Sequence, residues 1–174
     1  MYRGDTRKFE HKEGKIMSDI RDKAFRHLGY RARTVKEMRM YLRDKGYSDE
    51  EIEPLIQELI SLRYLDDYEY AKQYIEYAIP KKRGLNRIKM ELIMRGISDE
   101  DIENAVMECK ESLAIDELSD AISVVRSIAS DVSEIDEKMT ARIVRKLKRR
   151  GYNDGDIMKA IETVRRELNY NDEF

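Results

Sequence analysis

One short sequence occurs three times in this chain and restricts its fold more than any other feature. It reads "KGYSDEEI" at residues 45–52, "RGISDEDI" at 95–102 and "RGYNDGDI" at 150–157. In each copy a glycine follows a basic residue, which is typical of a helix that ends in the left-handed conformation. A small polar residue and acidic residues come next, which is typical of the start of another helix. The pattern therefore predicts the same helix–turn–helix corner three times.

Each corner glycine belongs to a longer repeat. Gly46, Gly96 and Gly151 are separated by 50 and 55 residues, and apolar residues recur at fixed distances on both sides of each glycine. The equivalent residues are Met38, Ile88 and Ile143 eight before, Leu42, Leu92 and Leu147 four before, and Ile52, Ile102 and Ile157 six after. Because helical spacing gives each segment one apolar face, we predict an all-α fold of three tandem three-helix repeats that form an elongated, curved array.

Proline and glycine are scarce, with 2 and 8 copies in 174 residues, and this favours long helical segments. We expect a flexible N-terminal tail at residues 1–17, repeat 1 at 18–65, repeat 2 at 66–112 and repeat 3 at 113–170. The predicted helices span residues 18–30, 34–46, 49–62, 67–79, 85–95, 99–110, 113–129, 138–150 and 154–168. Pro54 lies early in the third helix and is expected to bend it or to delay its start.

The net charge is only -2, but the charges are arranged in bands. The fifteen residues before each corner glycine sum to +4 at 31–45, +5 at 81–95 and +5 at 136–150, whereas the helices after the corners begin with acidic residues. Favourable interactions with helix dipoles explain part of this pattern. Because bases also fill whole second helices, the pattern additionally predicts a basic binding face. The candidate partner-binding residues are Arg39, Arg43, Lys81, Lys82, Arg83, Arg87, Lys89, Arg145, Lys148 and Arg149.

The acidic helix starts limit the kind of partner that these bases can serve. In sequence-specific helix-turn-helix proteins, the first residues of the helix after the turn meet the base edges of DNA. Those positions read "DEEIE" at 49–53 and "DEDIE" at 99–103, and such residues would repel phosphates. The basic second helices are suited instead to a phosphate backbone or to an acidic protein surface.

The sequence contains no set of residues typical of an active site, and we predict no catalytic activity, cofactor or metal ion. The histidines, His11 and His27, have no cysteine or carboxylate cluster at metal-ligand spacing. Cys109 lies on an apolar helix face, which favours a buried core thiol over a nucleophile. Asp66 and Asp67 precede a predicted helix, which favours N-capping over acid–base work.

The expected compartment follows from cysteine use and hydropathy. A single cysteine cannot form an intramolecular disulfide, which favours a reducing environment. No segment has the apolar length of a membrane span or the apolar core of a secretion signal. We therefore expect a cytoplasmic protein.

From residue 18 to residue 168 the chain resembles the RecX family of bacterial recombinase regulators. In repeat 1 the matching residues are Ala24, Leu28, Leu42, Lys45 and Gly46. In repeat 2 they are Leu65, Asp66, Asp67, Ala71, Tyr74, Gly84, Ile88, Glu91, Leu92, Arg95, Gly96, Ile97 and Ile102. Single positions are ordinary helix patterning, and the resemblance rests on their order and spacing.

This resemblance implies a non-enzymatic regulator of RecA, and we expect the protein to be a monomer. Family members are similar in fold, bind along the groove of the RecA filament on single-stranded DNA, and limit filament growth, ATP hydrolysis and strand exchange. Two alternatives remain open from the residues themselves. One is a sequence-nonspecific DNA-binding protein that uses the basic helices without RecA, and the other is a helical-repeat scaffold for another protein.

Overall fold

The computed structural model describes residues 18–132 and 134–171, and the regular structure in these ranges is helical, without a strand. This confirms the predicted all-α fold, while the number of repeats stays a prediction and the predicted tail at 1–17 lies outside the described residues. The helices are α1 (residues 18–28), α2 (Val35–Asp44), α3 (Asp49–Ser61), α4 (Asp67–Ala78), α5 (Leu85–Met94), α6 (Asp99–Ser112), α7 (Glu117–Ile128), α8 (Glu137–Arg150) and α9 (Asp154–Asn171), with a short 3-10 helix at Ile79–Lys81. No helix in the described part of the chain combines the length and apolar character needed to cross a membrane.

Local capping corrects one predicted helix start and agrees with another. The first helix of the third predicted repeat was expected near residue 113, but α7 begins at Glu117 because the side chain of Asp116 accepts a hydrogen bond from Ser119 N at 3.0 Å. Pro54 does not delay α3, which already begins at Asp49. At that end the side chain of Glu51 accepts a hydrogen bond from the backbone N–H just before the helix, and this capping fixes the start.

The three corner glycines adopt the conformation that the sequence predicts. Gly46, Gly96 and Gly151 have φ values of 89°, 84° and 91°, in the left-handed region that costs glycine least. For example, α8 ends at Arg150, and the backbone N–H of Gly151 donates to Leu147 O and Lys148 O, both at 3.0 Å. These bonds satisfy carbonyl groups that the end of a helix leaves without partners.

The described residues form two compact units. Unit 1 consists of residues 18–70 with Arg95–Ser98, and unit 2 consists of Ala71–Met94 with residues 99–171. The core of unit 1 is built by α1, α2 and α3 and contains Ile20, Ala24, Met38, Leu42, Ile52, Leu55, Ile56, Leu59 and Leu65. Unit 2 has a cluster from α7, α8 and α9 that includes Ala121, Val125, Ile143, Leu147, Ile157 and Ile161. In α4, α5 and α6 the buried apolar residues again fall at helical spacing, and Cys109 is buried among them, as predicted.

In unit 1, the start of α2 is held by residues from later in the chain. Thr34 caps α2 through its hydroxyl oxygen, which also donates to Arg95 O at 2.8 Å. The N–H of Val35 donates to the carboxylate of Asp67 at 2.9 Å. The guanidinium of Arg95 pairs with Glu37 at 2.6 Å.

In unit 2, the start of α5 is held in the same way. Gly84 occupies the position equivalent to Thr34, and its N–H donates to Arg150 O at 2.8 Å. The N–H of Leu85 donates to the carboxylate of Glu117 at 2.8 Å. In both units, therefore, the start of a second helix contacts the next predicted repeat at two points. One is the backbone carbonyl of the residue before the next corner glycine, and the other is the carboxylate of the first residue of the next repeat's first helix.

Candidate partner-binding surface

Several of the predicted partner-binding bases form ion pairs inside the chain. Arg39 in α2 makes a two-pronged contact with Glu53 in α3, at 2.7 and 2.8 Å. This contact lowers the pKa of Glu53 below its usual value. Lys89 in α5 pairs with Glu103 in α6 at 2.5 Å. Relative to Gly46 and Gly96, these are the same two positions, seven before and seven after the glycine.

A second pair also recurs at equivalent positions. Arg43 pairs with Asp49 at 2.6 Å, and Lys148 pairs with Asp154 at 3.0 Å, in each case three residues before and three after a corner glycine. Both pairs join the second and third helices across a corner, and exposed pairs of this kind contribute about 0.2–1 kcal/mol each. The four bases of these two sets therefore have a structural partner already.

The bases around the 3-10 helix are also engaged within unit 2. Glu91 accepts hydrogen bonds from Tyr74 at 2.5 Å, from Arg83 at 3.1 Å and from Arg87 at 2.9 Å. Burial alone would raise the pKa of Glu91, but the hydrogen bonds from Tyr74 and Arg87 and the charge of Arg83 bring it below its usual value. Lys82 forms an ion pair with Asp120.

Lys81 has an aromatic partner. Its ammonium lies 3.1 Å from the centroid of the exposed ring of Tyr77, a cation–π geometry. Hydrogen bonding to Lys81 lowers the pKa of the Tyr77 hydroxyl. Lys81 therefore presents its charge at the surface without a carboxylate beside it among the described residues.

Two further predicted partner-binding bases without a carboxylate among the described residues, Arg145 and Arg149, lie on α8. Arg142, Arg145 and Arg149 follow the helical spacing i, i+3 and i+7, are exposed, and contact no carboxylate of the described residues. We call these three residues the basic face. Together with Lys148 they line a shallow hollow of about 420 Å³. Because no carboxylate of the described residues pairs with these three guanidinium groups, the basic face can pair with an external anion without first breaking an internal ion pair.

The basic face continues into a second hollow of unit 2. This hollow measures about 300 Å³ and is lined entirely by bases, namely Lys81, Lys82, Arg83, Arg87, Arg149 and Arg150. Two side-chain hydrogen bonds to backbone carbonyls hold this region together: Arg87 of α5 donates to Arg149 O of α8 at 2.9 Å, and Arg150 of α8 donates to Lys82 O, in the segment before α5, at 3.1 Å. Asp120 and Glu91 balance part of this charge, but six cations around one hollow leave a net positive potential that attracts anions.

A third concave region has a different chemistry. We call it the α5–α8 groove; it measures about 660 Å³, and Met90 and Met94 on α5 face Arg149, Lys148 and the α8–α9 corner across it. The two methionine residues are 63% and 73% exposed, which is unusual for large apolar residues on neighbouring turns of one helix. The groove therefore combines an apolar side with a basic side.

Equivalent surface positions differ sharply among the predicted repeats. Nine, six and two residues before the corner glycine, the residues are Glu37, Met40 and Asp44 in α2, Arg87, Met90 and Met94 in α5, and Arg142, Arg145 and Arg149 in α8. Only α8 is basic at all three positions. Arg145 and Arg149 were among the bases predicted from the sequence, whereas Arg142, Arg150, Met90 and Met94 were missed. Helical spacing from Arg149 would have found Arg142, and the methionines could have been recognised as apolar residues outside the buried stripe of α5.

Asp66 and His27, which the sequence analysis considered for acid–base and metal-binding roles, have structural roles. The carboxylate of Asp66 accepts a hydrogen bond from Glu69 N at 3.0 Å, which confirms the predicted N-cap. His27 stacks on the ring of Tyr41 with a centroid distance of 3.7 Å. Burial, together with the charges of Arg33 and Arg31, lowers the pKa of His27.

Comparisons with known proteins point to one family. Residues 21–59 match the family model of "RecX, first three-helix domain", and residues 66–106 match that of "RecX, second three-helix domain". A "Regulatory protein RecX" from Vibrio vulnificus is 32% identical over 149 residues, covering 83% of this chain and 92% of the relative. The relative of the same name from Bacillus pumilus is 28% identical, and the match covers 78% of this chain but only 51% of that longer protein.

Solved structures support the same fold. The crystal structure of RecX from Lactobacillus salivarius superposes with a TM-score of 0.75 at 24% identity, covering 90% of this chain and 99% of that one. A second crystal structure of a regulatory protein RecX has a TM-score of 0.78 at 16% identity, covering 94% and 79%. At these identities, the structural likeness establishes the fold and no more.

Proposed function

Because this chain belongs to the RecX family, we propose that it is a non-enzymatic regulator that binds the RecA filament on single-stranded DNA. In this proposal it inhibits the ATP hydrolysis, filament growth and strand exchange of RecA. The name that its relatives carry, regulatory protein, supports a regulatory role. The partner, the direction of regulation and a cytoplasmic location are parts of the proposal.

The observation that carries the proposed mode of binding is the basic face of α8. A filament of protein on single-stranded DNA offers phosphates and acidic side chains, and both attract guanidinium groups. Arg142, Arg145 and Arg149 are exposed and have no carboxylate partner among the described residues. By contrast, Arg39, Arg43 and Lys89 must give up intrachain pairs before they can contact a partner. We therefore assign the main electrostatic contact to α8 and its neighbouring hollow.

The test is ATP hydrolysis by the cognate RecA on single-stranded DNA, measured with this protein added below, at and above equimolar amounts. We expect inhibition well below equimolar amounts, as for a protein that acts on a filament. Inhibition that begins only when the protein saturates the DNA would favour the sequence-nonspecific DNA-binding alternative, whose binding falls steeply with salt. No effect at any ratio, with a folded protein, would contradict the proposal.

Two triple variants with equal loss of charge locate the contact. One replaces the basic face (Arg142→Ala, Arg145→Ala and Arg149→Ala), and the other replaces bases with internal partners (Arg39→Ala, Arg43→Ala and Lys89→Ala). We expect the first variant to lose inhibition and the second to keep it. Equal loss in both variants would mean that net charge, and not the basic face, determines binding.

A further inference from the structure

The α5–α8 groove has features that the electrostatic role of the basic face does not explain. A surface that attracts anions needs no apolar component, yet Met90 and Met94 expose most of their side chains along one side of the groove. Exposed apolar residues that share a concave surface commonly mark binding sites. Methionine is flexible and polarisable, and it is common on surfaces that accept apolar side chains of partners.

The bases on the opposite side specify the charge of the occupant. Arg149 lines the groove and has no carboxylate partner among the described residues, and Arg145 lies one helical turn away on the same face of α8. Lys148 is also exposed, although Asp154 pairs with it at 3.0 Å. The groove thus offers apolar contact and unpaired positive charge within one concave surface.

We propose that the α5–α8 groove binds an acidic segment of a partner protein, with an apolar side chain of that segment packed on Met90 and Met94. Carboxylates beside this side chain would pair with Arg149 and Arg145. The inference rests on the proposed function only for the identity of the partner, which would then be the protein component of the filament.

The lining of the groove favours a protein over single-stranded nucleic acid. Proteins that bind single strands stack the bases on exposed aromatic rings. The aromatic residue of this groove, Tyr152, is only 4% exposed and offers no such platform. Glu91 and Asp154 also line the groove, where they pair with Arg87 and Lys148 and so leave the charge of Arg149 available to the acidic segment.

A second copy of this chain is a poorer occupant. In a symmetric dimer the same surface faces itself, so the basic faces of the two copies would lie close together and repel each other. An acidic segment, in contrast, neutralises these charges as it binds. Charge complementarity therefore selects a different protein as the occupant.

The direct test measures binding of the whole chain to three fluorescent probes. They are a peptide with two Leu flanked by Glu residues, the same peptide with Ser in place of Leu, and oligodeoxythymidylate. Burying one Leu side chain should strengthen binding about tenfold or more, so we expect the Leu peptide to bind tighter than the Ser peptide by that factor. Equal binding of the two peptides, or no peptide binding, would overturn the inference.

Variants then connect the preference for Leu to the groove. Met90→Ser with Met94→Ser should abolish the difference between the peptides and leave oligodeoxythymidylate binding unchanged. The control, Met40→Ser with Met107→Ser, changes two exposed methionines outside the groove and should have no effect. If the groove variant weakens oligodeoxythymidylate binding, the occupant is nucleic acid; if the chain self-associates through Met90 and Met94, it is a second copy. Either result overturns the inference.

The RecA assay separates failure of this inference from failure of the proposed function. If wild-type protein inhibits RecA but the two peptides bind equally, the groove assignment is wrong and the proposed function stands. If the groove prefers the Leu peptide but RecA hydrolysis is unaffected, the groove binds another acidic protein and the proposed function is wrong.

Discussion

Replacing each corner glycine with alanine should produce three different losses of stability from three nearly identical backbone conformations. All three glycines have φ between 84° and 91°, a region that costs an L-residue about 1–2 kcal/mol. At Gly46 an added Cβ would have no described atom within 4 Å. Gly46→Ala should therefore lose only the conformational part, about 1 kcal/mol, because alanine also reduces the entropy of the unfolded chain.

At the other two corners the added methyl group would collide with a neighbour. At Gly96 the contact is with the side chain of Lys36, at 2.4 Å from its Cδ and 2.6 Å from its Cβ. Because this side chain is exposed, it can move aside in part. At Gly151 the Cβ would lie 2.4 Å from the backbone nitrogen of Arg87, so α5 itself must shift.

The expected order of destabilisation is therefore Gly46→Ala, then Gly96→Ala, then Gly151→Ala. Overpacking against a rigid neighbour adds about 1–3 kcal/mol to the conformational cost, so we expect a total of about 3–5 kcal/mol at Gly151. Urea unfolding followed by circular dichroism measures these differences, and the slope of each transition checks that the variants unfold in the same manner. Equal losses at all three positions would refute the idea that the second and third corners are packing sites.

Two further predictions concern the buried hydroxyl of Tyr152 and the half-buried carboxylate of Glu117. Tyr152→Phe should leave the unfolding free energy unchanged or raise it, because the buried hydroxyl has no hydrogen-bond partner among the described residues; Tyr47→Phe should cost about 1 kcal/mol in the same urea assay, because its hydroxyl bonds to Asp19 at 2.5 Å. Burial raises the pKa of Glu117, so its ionisation costs stability as pH rises through the unfolded value of about 4.3. Glu117→Gln, which keeps an acceptor for Leu85 N, should thus be more stable than wild type at pH 7 and lose this advantage below pH about 4. If Glu117→Gln were equally stabilising at both pH values, the ionisation of Glu117 would not be the cause of the difference.

Much of the fold could be predicted because it depends on local patterns. Apolar residues at helical spacing and the corner glycines specify where most helices lie, and these signals do not depend on distant residues. The start of α7 was less predictable, since residues 113–116 contain no helix breaker and the cap at Asp116 decides the boundary. The contacts of Val35 with Asp67 and of Leu85 with Glu117 join residues far apart in sequence, and one chain gives no signal for them.

The candidate site was only partly predictable for a related reason. Sequence counts treat every base alike, whereas the fold divides them into paired and unpaired groups. Arg39 and Lys89 face acidic residues fourteen positions later, at Glu53 and Glu103, so their charge is balanced within the chain. Alignment of the three repeats would have revealed these pairs. At the same two positions the third predicted repeat has Val144 and Met158, so the base and the acid are both replaced by apolar residues, as expected for two side chains in contact.

The contrast among the corner glycines also explains why the corner can recur while the surface changes. In unit 1 the hydroxyl of Thr34 contacts Arg95 O, and in unit 2 the N–H of Gly84 contacts Arg150 O. In both contacts the corner supplies a backbone carbonyl oxygen. Packing of an earlier second helix against the corner therefore constrains the glycine and the turn, but the exposed side chains of the helix that ends at the corner can vary. No earlier second helix packs against the first corner within the described residues, and a Cβ added at Gly46 would meet no described atom within 4 Å. Because the contact is made through the backbone, α8 can carry the three arginines of the basic face at positions where α2 carries two carboxylates and a methionine.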